Sequence, residues 1–153
     1  MTANRMADVF SRVKRSAVMS QIRSRGNQRT EMVLISLFRA NKIHGWRRHT
    51  KHKIQNPPEK CPLTVRPDFT FSQKRSLIFV DGCFWHLCPK HGHFPASRVP
   101  FWKRKLTRNA ERDVLLNHAL RKQGWRVLRI WEHELARKNE THLIKRIQRY
   151  LQG

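Results

Sequence analysis

Residues 81–91 read Asp-Gly-Cys-Phe-Trp-His-Leu-Cys-Pro-Lys-His, which places two thiols, two imidazoles, a carboxylate and an aromatic pair within eleven positions. Cys83, Cys88 and His91, separated by four and then two residues, offer three soft or borderline ligands at a spacing that a tetrahedral Zn2+ can use. A fourth ligand must come from elsewhere. His133, at the end of a predicted strand, is the leading candidate, with His93 and Cys61 as rivals. With four protein ligands the zinc is structural and closes a loop too poor in apolar residues to fold alone. The competing reading is a pair of buried cysteines with surface histidines.

Asp68 lies in Arg66-Pro-Asp-Phe69, thirteen residues before Asp81, where an apolar run begins. Phosphodiester hydrolysis needs a hard cation held by carboxylate oxygens, to polarise the phosphate and acidify a water, together with a group that handles protons. Asp68 and His86 fit those roles, and Asp81 adds a carboxylate at the same end of the predicted sheet. Glu31 and Asp113, two of only ten acidic residues, are candidates to hold metal-bound water. The plainer expectations are a turn-forming Asp68, and Glu31 and Asp113 in helix-surface ion pairs. Phe84, Trp85 and Trp102 sit among basic residues, which suits rings that stack on bases or wedge between them; the alternative is burial in the core.

Positioning these groups requires a small sheet. Apolar runs at residues 68–71 and 77–81, joined by Ser72-Gln-Lys-Arg-Ser76, predict a β-hairpin that carries Asp68 and the Cys/His segment to the same sheet end. Residues 125–131 predict a further strand and residues 46–50 another, while Pro57, Pro58 and Pro62 mark a loop up to Leu63. Helical periodicity appears at residues 12–22, 28–41 (Asn27 as N-cap), 100–123 (closed by Gly124) and 140–151. Trp46, Trp125 and Trp131 fall in predicted strands and read as core. Residues 1–10 lack a period and read as a flexible arm, leaving residues 11–153 as a single domain of mixed α/β class.

The 153-residue chain carries 33 Lys and Arg against 10 acidic residues, a formal charge of +23 spread along its length. A polyanion is the expected partner, and nucleic acid is favoured over an acidic membrane because the basic residues interleave with aromatics in mixed α/β segments. No apolar run approaches the length of about 20 residues that a bilayer needs, and the N-terminus lacks a signal-peptide core, so a cytoplasmic location is expected. Three cysteines, two of them flanked by histidine, suit metal ligation in a reducing compartment and leave Cys61 as a free thiol.

Six collinear motifs carry a resemblance: Met19-Ser-Gln-Ile-Arg-Ser24, Arg66-Pro-Asp-Phe69, Asp81-Gly-Cys-Phe-Trp-His86, Phe101-Trp102, Asn109-Ala-Glu-Arg-Asp113, and Gly124-Trp-Arg-Val-Leu128 with Trp131-Glu132. Together, over residues 11–134, they resemble the very short patch repair endonucleases. The resemblance implies a PD-(D/E)XK-like endonuclease core, a mixed sheet flanked by helices with a structural zinc. It implies Mg2+-dependent nicking of one strand of duplex DNA beside a T:G mismatch left by deamination of 5-methylcytosine. A functional link to a cytosine-5 methyltransferase and a repair polymerase follows, as does a monomer in the bacterial cytoplasm.

By position, Asp68 resembles the family's metal-binding aspartate, and His86 the histidine that handles the proton or positions the attacking water. Glu31 and Asp113 resemble the acidic residues that support metal-bound water, and Asn109 a polar residue near the site. Phe84, Trp85 and Trp102 resemble the aromatics inserted beside the mismatch, and Cys83, Cys88, His91 and His133 fall on the zinc positions.

Two departures from the best-known member stand out. Val80-Asp81 replaces Thr-His before the Gly-Cys pair; a metal contact through the Val80 backbone carbonyl survives this change, and Asp81 becomes a candidate Mg2+ ligand. The segment at residues 54–64 is also longer and contains Cys61, which bears on the flanking bases preferred. Two other readings stay open: a restriction-type nuclease on the same core, and a non-catalytic zinc-stabilised DNA-binding module.

Overall fold

The computed structural model describes residues 30–57, 59 and 61–153. The arm expected at residues 1–10, the helix at 12–22, the cap at Asn27 and the motif at residues 19–24 lie outside them.

The first described helix, α1 (Glu31–Ala40), buries Leu34, Ile35, Leu37 and Phe38 on one face, with Thr30 at its N-cap position. The chain then forms β1 (Arg47–Arg48), β2 (His52–Lys53), β3 (Thr64–Val65), β4 (Phe69–Phe71) and β5 (Ser76–Asp81). The long helix α2 (Val99–Lys122), β6 (Arg126–Trp131) and α3 (Glu140–Gln152) complete it. The expected strand at residues 46–50 is only two residues long. The proline-containing segment is bracketed by an antiparallel pair, His52 opposite Val65 and Lys53 opposite Thr64, too short to leave a period in the sequence.

The main sheet is mixed, in the order β1-β4-β5-β6. β5 pairs antiparallel with β4, Phe69 opposite Ile78, and parallel with β6, Phe79 opposite Arg129 and Asp81 opposite Trp131. A 3-10 turn at Ser72–Lys74 joins β4 to β5, with Arg75 at φ +45°. Because strand side chains alternate, the central strand β5 serves two cores. Ile78 and Val80 join Phe38, Phe69, Phe71, Ile130 and the buried face of α3. Leu77 and Phe79 face Leu116, Ala119 and Leu120 of α2, where Ile54 also packs. Phe38 meets Phe69 edge-on with ring centroids 5.0 Å apart, and Trp46 meets Phe69 at 5.5 Å.

Helix α2 stops at Gly124, whose φ of +79° only glycine adopts freely. The Arg75 side chain donates to the carbonyls of Gln123 (2.7 Å) and Gly124 (3.1 Å), tying the hairpin turn to the end of the helix. No helix among the described residues is long and apolar enough to cross a membrane.

Candidate active site

Asp68 sits immediately before β4, after the buried Pro67, and the β4–β5 register carries it to the far end of β5. Its Oδ2 accepts a hydrogen bond from the Val80 backbone N–H at 2.7 Å. Burial, with the neighbouring Glu31 and Asp81 carboxylates adding to it against that hydrogen bond, pushes the Asp68 carboxyl up to about 7. A carboxyl so placed favours either a proton or a cation.

Ligand atoms of Glu31, His49 and Asp68 lie within 4.8 Å of one another. Glu31 is buried in the first turn of α1 and paired with Arg48, while His49 Nε2 approaches its carboxylate at 2.9 Å. No motif or period in the sequence marks His49. It lies 18 residues from Glu31, in the bend just after the two-residue strand β1, and only the fold brings the two together.

A second cluster lies on the α2 side of the sheet. His86 Nδ1 meets Asp113 Oδ2 at 2.5 Å, which leaves Nε2 as the ring nitrogen available to a substrate. Burial raises the Asp113 carboxyl, but the His86 hydrogen bond and the Arg129 guanidinium outweigh it and hold the group below the usual carboxylate range. Glu31 and Asp113 are therefore buried ion-pair partners, not members of solvated helix-surface pairs. Asp81, expected as a candidate Mg2+ ligand, is engaged instead by Arg129, whose Nη1 donates to its two oxygens at 2.9 and 2.8 Å. Asn109 Nδ2 donates to the Trp85 carbonyl at 3.1 Å, which ties the segment after β5 to α2.

Cys83, Cys88, His91 and His133 converge, with ligand atoms within 4.8 Å of one another. Cys83 Sγ and Cys88 Sγ lie 3.3 and 3.5 Å from His133 Nδ1, and Cys88 Sγ lies 3.9 Å from His91 Nδ1. A tetrahedron with Zn–S near 2.3 Å and Zn–N near 2.0 Å has edges of roughly 3.3–3.8 Å, so this donor set fits zinc. Of the rivals for the fourth position, Cys61 packs beside the second core and His93 turns its Nδ1 to the His91 carbonyl at 3.2 Å. Gly92 permits the tight turn, since a Cβ there would stand 2.6 Å from the Cys88 carbonyl oxygen.

The aromatic expectation needs one correction. Trp102 is only 8% exposed, held by Phe84 (centroids 5.4 Å apart) and Phe101 (5.3 Å). A loop organised by polar ligands still needs apolar support, and the first turn of α2 supplies it. Phe84 and Trp85 are half-buried and Phe101 is exposed, so the accessible edge of the cluster comes from these three rings. Lys105 lies 5.5 Å from the Trp85 ring centroid, and beside it runs a groove lined by Phe101, Arg104, Arg108, Asn109 and Arg112.

The family model of the DNA mismatch endonuclease Vsr matches residues 7–91. DNA mismatch endonuclease Vsr of Escherichia coli is 33% identical over 156 residues, covering 97% of this chain and 90% of that protein. The chain belongs to the Vsr family. Among its other relatives, the type II nicking enzyme V.NmeAIP of Neisseria meningitidis is 36% identical over 135 residues, 87% of each chain. The type II nicking enzyme V.NaeI of Lentzea aerocolonigenes is 51% identical over 72 residues; that match spans 47% of this chain and less than half, 43%, of V.NaeI. Membership of the Vsr family makes this a DNA endonuclease fold, and both side-chain clusters and the Cys/His group lie at the sheet end where β5 finishes.

Proposed function

We propose that this chain nicks one strand of duplex DNA beside a T:G mismatch, through water attack on the phosphodiester assisted by Mg2+. The observation that carries the reading is the pairing at one sheet end of a carboxyl poised for a cation, Asp68, with an oriented imidazole, His86. Asp68 holds the cation, supported by Glu31 and the Val80 backbone carbonyl. When bound there, Mg2+ polarises the phosphate and lowers the pKa of a water.

The protein's own part is positioning. Val80 N–H fixes the Asp68 rotamer, Arg48 and His49 hold Glu31, and Asp113 holds the imidazole so that Nε2 faces the substrate to handle the proton. Zinc on Cys83, Cys88, His91 and His133 stiffens the loop that presents Phe84 and Trp85. These rings, with Phe101 at the open edge, enter the duplex at the mismatch, where unstacking costs less. The basic groove along α2 takes phosphates.

The enzyme works as a monomer in the bacterial cytoplasm, downstream of a cytosine-5 methyltransferase whose deaminated product it marks, and upstream of a repair polymerase. Its test is Asp68→Ala, which should abolish Mg2+-dependent nicking while the affinity for a mismatched duplex is kept. Nicking at the wild-type rate by that variant would refute the role given to Asp68.

A further inference from the structure

Arg129 stands on β6 opposite Phe79, on the α2-facing side of the sheet, where the apolar layer of Leu77, Phe79 and Leu116 gives way to charge. Its guanidinium is the most heavily used in the site. Nη1 donates to both Asp81 oxygens at 2.9 and 2.8 Å, Nη2 to Asp113 Oδ1 at 3.1 Å, and Nε to Asn117 Oδ1 at 3.1 Å. Its Cζ lies over the Phe79 ring, 4.9 Å from the centroid, and the Arg129 backbone carbonyl accepts from Arg146 of α3 at 2.9 Å. Asp81 is 3% exposed and Asp113 8% exposed. The same Asp113 that gives Oδ1 to Arg129 gives Oδ2 to His86.

We infer that Arg129, anchored by Asp81, is a positioning residue that holds Asp113 in the rotamer which aims His86 Nε2 at the scissile phosphate. This rests on the nuclease reading above and goes beyond it, because Asp81 becomes a structural counter-ion in place of a cation ligand. The physical argument is geometric. A planar fork with Nε, Nη1 and Nη2 each engaged has one orientation, and it pins Oδ1 of Asp113 relative to the sheet, leaving Oδ2 turned to His86. A lysine at position 129 keeps the charge but reaches only one carboxylate at a time.

The experiment uses the full chain prepared with zinc and assayed with Mg2+ under single-turnover conditions at one pH. Variants Arg129→Met, Arg129→Lys and the double variant Asp81→Leu with Arg129→Met are compared with wild type. Arg129→Met leaves Asp81 buried without its guanidinium, with only His86 Nδ1 at 3.8 Å beside it, and loses stability; the double variant removes the pair together and regains it. Arg129→Met and the double variant should both nick about 100-fold more slowly, as a misplacement near 1 Å does, with mismatch-duplex Kd unchanged, and Arg129→Lys should fall between.

An activity-independent readout is the downfield imidazole Nδ1 proton of His86 in NMR spectra, expected in wild type and lost in the double variant. A double variant that is stable, nicks at the wild-type rate and keeps that proton would reduce Arg129 to a structural residue and overturn the inference. If the wild type nicks no duplex while the proton still depends on Arg129, the nuclease reading fails and the positioning role stands.

Discussion

Asp68→Asn tests the electrostatics of the cation site without any DNA. In the metal-free protein the Asp68 carboxyl is pushed up to about 7 from 3.8, chiefly by burial. The unfolded chain releases that proton near 3.8, and the native state keeps it until about 7. Between those values the native state binds more protons, so stability falls as pH rises from about 4 to about 7 and then levels off. At about 1.36 kcal/mol per pH unit, the loss linked to this group is at most about 4 kcal/mol.

Asparagine still accepts the Val80 N–H and carries no charge, so the variant escapes that loss. In Mg2+-free buffer at about pH 8, with zinc retained, it should melt higher than wild type, by up to on the order of 10 °C, given about 2–4 °C per kcal/mol for a chain of this size. Below about pH 4 the two should converge. Adding Mg2+ should stabilise wild type and leave the variant unchanged. The assay is thermal melting followed by circular dichroism across that range, and the difference between the two curves isolates Asp68 from the nine histidines, which titrate in both. Superimposable curves throughout, or a less stable variant at about pH 8, would refute the reasoning.

Three further outcomes follow. His86→Ala should lower the single-turnover nicking rate by about 100- to 10,000-fold with duplex affinity retained, as expected for loss of a general acid or base, and a change confined to Kd would contradict that role. Cys88→Ser should abolish stoichiometric zinc in metal analysis and cost on the order of 4 kcal/mol in denaturant unfolding; a metal-free wild type of equal stability would dismiss the zinc site. Gly124→Ala, which forces a Cβ to 3.1 Å from the Arg75 guanidinium at φ +79°, should cost about 1–2 kcal/mol by the same measurement without altering the nicking rate of the folded protein.

Much of this site was legible because its residues are clustered or periodic. The hairpin at residues 68–81, helix α2 and its stop at Gly124, the strand before His133 and the C-terminal helix all follow from apolar period and turn chemistry, and each stands within a residue or two of its expected place. The convergence of His133 with the Cys/His segment also followed, once β6 was placed beside the hairpin. What was not legible arises from tertiary geometry. Arg48, on a two-residue strand, and His49, in the bend after it, reach Glu31, and the β2–β3 pair is equally short. Arg129 stands among the apolar residues of β6, and nothing local names its partners until the parallel register puts it on the side of Asp81 and α2. The burial of Trp102 depends on the approach of the Cys/His loop to the first turn of α2, which no local pattern encodes.

The central claim is mismatch-directed, single-strand nicking. The most direct measurement is cleavage of two duplexes identical except for one T:G pair, each strand labelled separately, with Mg2+ and with chelator, across several flanking sequences. A Mg2+-dependent nick confined to the T-containing strand of the mismatched duplex is the expected result, whereas equal cutting of the matched duplex, or binding with no cleavage in any context, would contradict it.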